Sequence, residues 1–313
     1  MINDYISIIV PCYNEEAVIN ETNNRLKKVA LANFTNYEII YVNDGSFDST
    51  FNILEALSKG DSNIKIINFS RNFGHQAAVS AGIKNCNGDA AIIIDADLQD
   101  PPELFPDIIN TWKENNCNVV NCVRQKRLGE TIFKKVTAKI FYRLLNKLSE
   151  IDIPLDTGDF RLIDKKVIEA FKRIPEKNKY IRGLFAWVGF KHIPFYYTRQ
   201  ERFAGSTKYP LYKMLKFSAN GIMYFSKKPL EIVIGLGLIF LVFDVFLASY
   251  ILYLKFNGET IAGWTSSILI NIFLSAINLI CLGIIGKYLG IIFEEIKNRP
   301  EYVIESKTNF NDI

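Results

Sequence analysis

Short apolar runs alternate with polar stretches through the first half of the chain. Tyr5 to Val10 (YISIIV), Tyr37 to Val42 (YEIIYV), Ile64 to Phe69 (IKIINF) and Ala90 to Ile94 (AAIII) are mostly continuous runs, not strict alternations. Runs of this kind read as strands covered on both faces. A further strand is expected over Asn118 to Val123. Between the strands lie helical segments. One opens at Asn14-Glu15-Glu16, with acids in the first turn where the helix dipole favours them, and an Ala-rich one covers Gln76 to Ile83. Strands alternating with helices predict an α/β fold with a mostly parallel sheet and helices on both faces. Ligands bind such sheets beyond the carboxyl ends of the strands.

Farther on the pattern changes twice. Thr131 to Leu148 (TIFKKVTAKIFYRLLNKL) places apolar residues at helical spacing with Lys134, Lys135, Lys139, Arg143 and Lys147 between them. This is a basic amphipathic helix, either docked on the core or lying on an anionic membrane face. Tyr209 to Phe225 repeats the theme with Lys213 and Lys216. Leu230 to Leu254, whose charges are Glu231 at its start and Asp244 in its middle, and Trp264 to Gly286, which has none, are long enough to cross a bilayer. Lys227 and Lys228 precede the first run; Lys287, Lys297 and Arg299 follow the second. By the positive-inside rule this predicts a hairpin of two spans with both flanks cytosolic. Asp244 would be costly in lipid and is expected to pack against a helix or a polar group.

Composition adds little to this picture. Hydrophobic residues make up 49% of the 313, an excess concentrated in the two apolar runs. The five cysteines (12, 86, 117, 122 and 281) are scattered and include no CxxC pair, which points to reduced thiols. Asn3 and Asp4 lead straight into a strand, so no signal peptide is expected. The net charge of +4 excludes nothing.

The chemistry gathers at strand ends. Asn43-Asp44, Ser70-Arg71-Asn72 and Asp95-Ala96-Asp97 each follow an apolar run. No glycine-rich dinucleotide fingerprint or phosphate loop follows the first strand, which argues against a dehydrogenase or a P-loop nucleotidase. Asp95 and Asp97, at i and i+2 just past a strand, can converge on one divalent cation. Oxygen-only ligands suit Mg2+ or Mn2+, with Gln99 as a third donor. The ordinary alternatives are a surface turn at Asp95 and Asp97, and a turn residue before Gly45 at Asp44.

Together these segments carry a resemblance. "SIIVPCYNEE", "YEIIYVNDGSFDST", "SRNFGHQAAVSAGI" and "GDAAIIIDADLQDPPE" resemble the family 2 glycosyltransferases of GT-A fold. "DTGDFRLID" and "RFAGSTKY", followed by two membrane spans, narrow this to the polyprenyl-phosphate glycosyltransferases. That group takes in the bactoprenol glucosyltransferases and the dolichol-phosphate mannose synthases.

The resemblance implies roles. Pro11, Tyr13 and Glu15 would line the nucleotide pocket and Asp44 would bind the base. Arg71 and His75 would lie near base and ribose. Asp95 would contact ribose or metal, Asp97 the metal with Gln99 assisting, and Arg202, Ser206 and Lys208 would close over the diphosphate. Asp156 and Asp159 would face sugar and acceptor, one of them acting as a base or positioning a hydroxyl; the ordinary alternative pairs Asp159 with Arg161. Apart from the resemblance, Arg124 and Arg127, just before the basic helix, and Lys135 within it would meet the acceptor phosphate or attract anionic lipid.

The expected organisation is a cytosolic GT-A domain over 1–208, an interfacial helix over 209–228, two spans within 229–293 and a cytosolic tail over 294–313. The expected enzyme sits at the inner (plasma) membrane with both termini cytosolic, as a homo-oligomer. It would use Mg2+ or Mn2+ to move one sugar, with UDP-glucose the favoured donor, to polyprenyl phosphate, with no nucleic-acid partner. The alternatives are a processive polysaccharide synthase of the same fold and a non-catalytic membrane scaffold. The first resembles a Gln-x-x-Arg-Trp pattern where this chain has "YIRGLFAW", and it needs more spans.

Overall fold

The computed structural model describes residues 1–124, 157–176, 180–198, 228–257 and 263–310. The chain divides into two compact units. One comprises Met1–Arg143, Ile151–Met214 and Arg299–Ile313; the other comprises Leu144–Glu150 and Leu215–Asn298. The amphipathic helix expected over 131–148 and the segment 209–227 lie outside the described residues, as do Arg127, Lys135, Asp156, Arg202, Ser206 and Lys208.

The first unit is built on one sheet. Its elements run β1 (Ile2–Cys12), α1 (Ile19–Asn33), β2 (Phe34–Asn43), α2 (Thr50–Lys59), β3 (Ile64–Phe69), α3 (His75–Asn85) and β4 (Ala90–Ile93). Then follow α4 (Phe105–Glu114), β5 (Val119–Arg124), β6 (Thr157–Asp164), α5 (Lys165–Lys172), α6 (Ile181–Trp187) and β7 (His192–Tyr197). The strand order is β7-β5-β6-β4-β1-β2-β3, with β8 (Ile304–Thr308) outside β3. β1 is parallel to β2 and β4, β2 to β3, and β5 to β7; β6 and β8 are antiparallel to their neighbours. The sheet is therefore mostly parallel with two reversed strands, a GT-A arrangement.

The central strands are buried as their apolar runs predict. Ile6, Ile8, Val10, Tyr41, Phe105 and Phe160 sit in one core with less than 2% of their surface exposed. β1 continues through Pro11, one residue past the apolar run Tyr5 to Val10. Its pairing with β4 ends at Ile9, so the missing N–H of Pro11 falls where no partner strand needs it. Helix α1 begins at Ile19 and not at Asn14. Asn14 has φ of 54°, outside the helical region, and the Glu15 carbonyl accepts the amides of Val18 and Ile19 in a separate turn.

β8 lies in the segment read from sequence as a tail. Ile66, Ile67, Asn68 and Phe69 pair with Thr308, Lys307, Ser306 and Ile304. Around it Tyr302 stacks on Phe69 at 4.9 Å between ring centroids, and Glu301 accepts from Ser80 at 2.9 Å and pairs with Lys84 at 3.2 Å. Asn309 donates its amide to the carbonyls of Ser58, Ile64 and Asp61. The strand thus covers an edge of β3 that would otherwise present open backbone groups.

The second unit contains α7 (Lys228–Phe256) and α8 (Trp264–Ile296). Both extend beyond the expected runs, 230–254 and 264–286. Leu238, Phe246, Leu282 and Phe293 are each at least half exposed. Two helices of this length, apolar on all sides, qualify as membrane spans by length and composition.

Candidate active site

The parallel strands β1 to β4 end on the same side of the sheet, and their connecting loops meet there. Gly45 makes one of these meetings possible. Its φ is 63°, and a Cβ on it would stand 2.3 Å from the carbonyl carbon of Arg71. Only glycine lets the loop after β2 lie so close to the loop after β3. Asp44 uses that closeness. Its carboxylate accepts the amide of Phe73 at 2.7 Å and that of Gly74 at 3.0 Å. Burial pushes its pKa up, while these two amides and the nearby cations pull the other way. Asp44 therefore holds the turn that starts α3, alongside Arg71, whose guanidinium lies 4.2 Å from the Phe73 ring.

The loops after β1 and β2 are stitched in the same manner. Asn14 donates to Ser46 at 2.9 Å and accepts from Phe47 at 2.9 Å, and the amide of Glu15 donates to Thr50 at 2.9 Å. The Tyr13 ring meets Phe47 edge-on. Tyr13, Glu15, Asp44 and Arg71 thus fall on two pairs of joined loops.

The reversed strand β6 supplies what the parallel ones do not. Ile93 of β4 pairs with Arg161 of β6, so continuing the antiparallel register sets Asp95 opposite Asp159. His75, the first residue of α3, lies between them. Its Nε2 is 3.2 Å from Asp159 Oδ2 and 3.8 Å from Asp95 Oδ1. Arg182 of α6 clamps Asp159 from the other side with bonds of 2.8 and 3.1 Å. Arg161 does not pair with that carboxylate, as the ordinary reading held; it donates to the backbone oxygens of Gly158 and Asp159. Helix α6 is tied to α3, because Gln76 accepts the amide of Ile181 at 3.0 Å.

This packing separates the two carboxylates electrostatically. Burial pushes Asp95 up to about 6; His75 opposes this, and Asp159, Asp100 and Asp97 add to it. Burial acts on Asp159 too, but Arg182 and His75 outweigh it and hold the group well below the usual carboxylate range. Burial pulls the His75 imidazole down, yet the bond to Asp159 and the charges of Asp95 and Asp159 raise it to about 9. At neutral pH, His75 is an imidazolium between two carboxylates.

Asp97 and Gln99 flank a strained turn. Leu98 has φ of 57°, unusual for a bulky residue, and the amide of Gln99 donates to Asp97 Oδ1 at 3.2 Å. Asp100 is fully buried. It accepts from the Tyr197 hydroxyl and lies 3.5 Å from Arg124 Nη2. Arg124 also donates to Tyr197 at 3.2 Å. The Arg124 guanidinium is therefore engaged inside the domain.

Asp95 and Asp97 fit a hard divalent cation. They are oxygen donors, and Asp95 sits in a field of carboxylates that disfavours its own charge. Among the described residues no three His, Cys, Asp or Glu side chains form a closed metal cage. A Mg2+ held by one or two carboxylates and completed by substrate phosphates needs none. Sequence reasoning assigned no role to Arg182 or Tyr197, and it showed Asp100 as one of the strand-end carboxylates without its partners. The one available signal for Arg182 was a cation in the first turn of an apolar stretch, where it needs an anion.

The mostly parallel sheet with a carboxylate cluster at its strand ends is what a GT-A glycosyltransferase would present, and comparison with known proteins supplies the family. Residues 7–171 match the model of glycosyl transferase family 2, and the chain belongs to that family. It is 52% identical over 300 residues to the uncharacterized glycosyltransferase YkcC of Bacillus subtilis, covering 96% of this chain and 93% of the relative. It is 36% identical over 308 residues to the SfII prophage-derived bactoprenol glucosyl transferase of Shigella flexneri, covering 98% and 99%. A prophage bactoprenol glucosyl transferase homolog of Escherichia coli is 37% identical over 301 residues, covering 96% and 98%.

Proposed function

We propose that this glycosyltransferase moves one sugar, glucose in the favoured case, from a nucleotide diphosphate sugar to a polyprenyl phosphate at the cytoplasmic face of the membrane. The observation that carries the reading is the extent of the similarity to the bactoprenol glucosyl transferase. It spans 98% of this chain, apolar helices included. A lipid acceptor would remain in the bilayer that α7 and α8 are suited to cross.

The mechanism we infer is a single, inverting displacement. The acceptor phosphate, already ionised at neutral pH, attacks the anomeric carbon and needs little help from a base. Asp159 is suited to positioning and poorly suited to taking a proton, because Arg182 and His75 stabilise its charge. Asp95 and Asp97, with Gln99, would hold Mg2+ or Mn2+, which supplies charge neutralisation for the departing diphosphate. Arg202, Ser206 and Lys208 would close over that diphosphate. Tyr13, Glu15, Asp44 and Arg71 would frame the nucleotide, and Arg127 and Lys135 would meet the acceptor phosphate. Two spans would put both termini on one side of the membrane, and the flanking Lys227, Lys228, Lys287, Lys297 and Arg299 would make that side the cytosol. Cysteine labelling of Asp312→Cys only from the outer side would sink that topology.

The test is direct. Purified protein is incubated with undecaprenyl phosphate and, in turn, labelled UDP-glucose, UDP-GlcNAc, UDP-galactose and GDP-mannose. Label passing from one donor to the lipid as a single sugar supports the reading. Polymer growth, or binding of a nucleotide sugar without transfer to any lipid phosphate, overturns it.

A further inference from the structure

Four hydrogen bonds run in one direction from the loop after β1 to the strand that follows the second apolar helix. The amide of Asn14 donates to Ser46 Oγ at 2.9 Å, and the Ser46 hydroxyl donates to Asn43 Oδ1 at 2.6 Å. The Asn43 amide donates to Asn68 Oδ1 at 2.7 Å, and the Asn68 amide donates to Glu305 Oε2 at 2.9 Å. Asn43 and Asn68 are buried. Every donor points toward Glu305, so the carboxylate polarises the whole chain in one sense. At the far end Asn14 is held at φ of 54° between Tyr13 and Glu15, with its own side-chain oxygen on the Phe47 amide.

We propose that Glu305 is a positioning residue for the nucleotide-sugar loop, acting through Asn68, Asn43 and Ser46 on Asn14. The proposal rests on the reading that Tyr13 and Glu15 face the donor. Glu305 is not needed to keep β8 in place. Backbone pairing with β3, the Glu301 contacts, the Tyr302 stack and the three bonds from Asn309 already do that. Among the described residues, Glu305 supplies the acceptor that orients the Asn68 amide, and through it that of Asn43. Without Glu305 the Asn68 amide loses that acceptor, and the relay keeps only the Asn14 and Ser46 end to bias which way the two amides face. The relay needs an acceptor and not a charge, because the group received is a neutral amide N–H.

The experiment uses the full chain in detergent and compares wild type, Glu305→Ala and Glu305→Gln. Hydrogen exchange is followed at the amides of Asn14 and Phe47, and kinetics with UDP-glucose, Mn2+ and undecaprenyl phosphate. In Glu305→Ala, exchange at those two amides should quicken about tenfold while 304–308 and β4 stay protected. The KM for UDP-glucose should rise roughly 5–10-fold with kcat within about twofold. Glu305→Gln, which keeps an acceptor, should restore both. The proposal fails if faster exchange is confined to 304–308 and β3, if Gln is as harmful as Ala, or if the KM is unchanged in an active enzyme. A wild type that uses no UDP-glucose would overturn the donor reading instead; the exchange comparison would still decide the relay.

Discussion

Asp95 and Asp159 face one imidazole from opposite strands, and their environments drive them apart. Asp159 has His75 at 3.2 Å and a two-pronged Arg182, and it stays ionised at any ordinary pH. Asp95 has the same imidazole only at 3.8 Å, with Asp97, Asp100 and Asp159 around it, and its carboxyl rises to about 6. Two groups of one chemical type therefore take different work. Asp159 is already neutralised by protein cations and can orient a hydroxyl. Asp95 has charge left over, which is what a divalent ion would neutralise. Pairs pushed apart in this way separate roles inside one site.

The sharpest way to break this comparison is to remove the cation platform. Asp97→Ala should lower turnover by about a thousandfold, several kcal/mol of lost charge stabilisation, with the melting temperature nearly unchanged. Full activity of the wild type in excess EDTA would end the assignment of that side of the pair.

Taking away the other carboxylate's support comes next. Arg182→Ala leaves Asp159, whose side chain is 14% exposed, with His75 alone. Breaking a buried pair costs about 3–5 kcal/mol, and the lower end applies here because Arg182 is itself 28% exposed. Urea denaturation should register the loss, and Arg182→Lys should recover part of it. An unchanged midpoint would mean that the clamp contributes little.

Arg124 offers a smaller test one residue layer away. Arg124→Ala strips Asp100 and Tyr197 of a charged donor, worth about 1.5–3 kcal/mol. It should lower the melting temperature and affect donor and lipid use alike. If the melt stayed put and only the KM for polyprenyl phosphate rose, Arg124 would belong with the acceptor.

The smallest effect sharpens the comparison without changing the protein. The chain has two histidines. In chelator, NMR should show His75 titrating near 9 and His192, which burial pulls down, below its ordinary 6.5. For His75 the folded value is raised, so its contribution to stability is complete below about 6.5 and is lost as pH rises through about 9. For His192 the sign reverses, and its contribution is lost as pH falls through its lowered value. Two overlapping titrations near 6.5 would contradict both environments.

The strands legible in the sequence are those buried on both faces: β1 to β5 follow from runs such as YISIIV and AAIII. β6 was not legible as a strand. Its residues, TGDFRLID, carry charge because their reversed direction brings their start to the ligand side of the sheet. β8 reads IESKT, with three of its five residues exposed, and owes its strand character to a partner edge far away in sequence. The carboxylate cluster was visible because it interrupts an apolar run. Its organisation was not, because His75, Asp159 and Arg182 meet only through the antiparallel register of β4 with β6 and the seating of α6.

The pairing of β3 with β8 also sets an order of events in time. Asn68 and Glu305 are 237 residues apart in the chain. At roughly 5–20 residues per second of synthesis, the edge of β3 waits some 10–50 s for its partner. Both apolar helices are made in that interval. The nascent sheet therefore spends that time with a bare strand edge, when pairing with another chain is the main hazard. β8 closes the edge only after both apolar helices have been synthesised, so a chain halted before residue 304 would be left both unfinished and sticky.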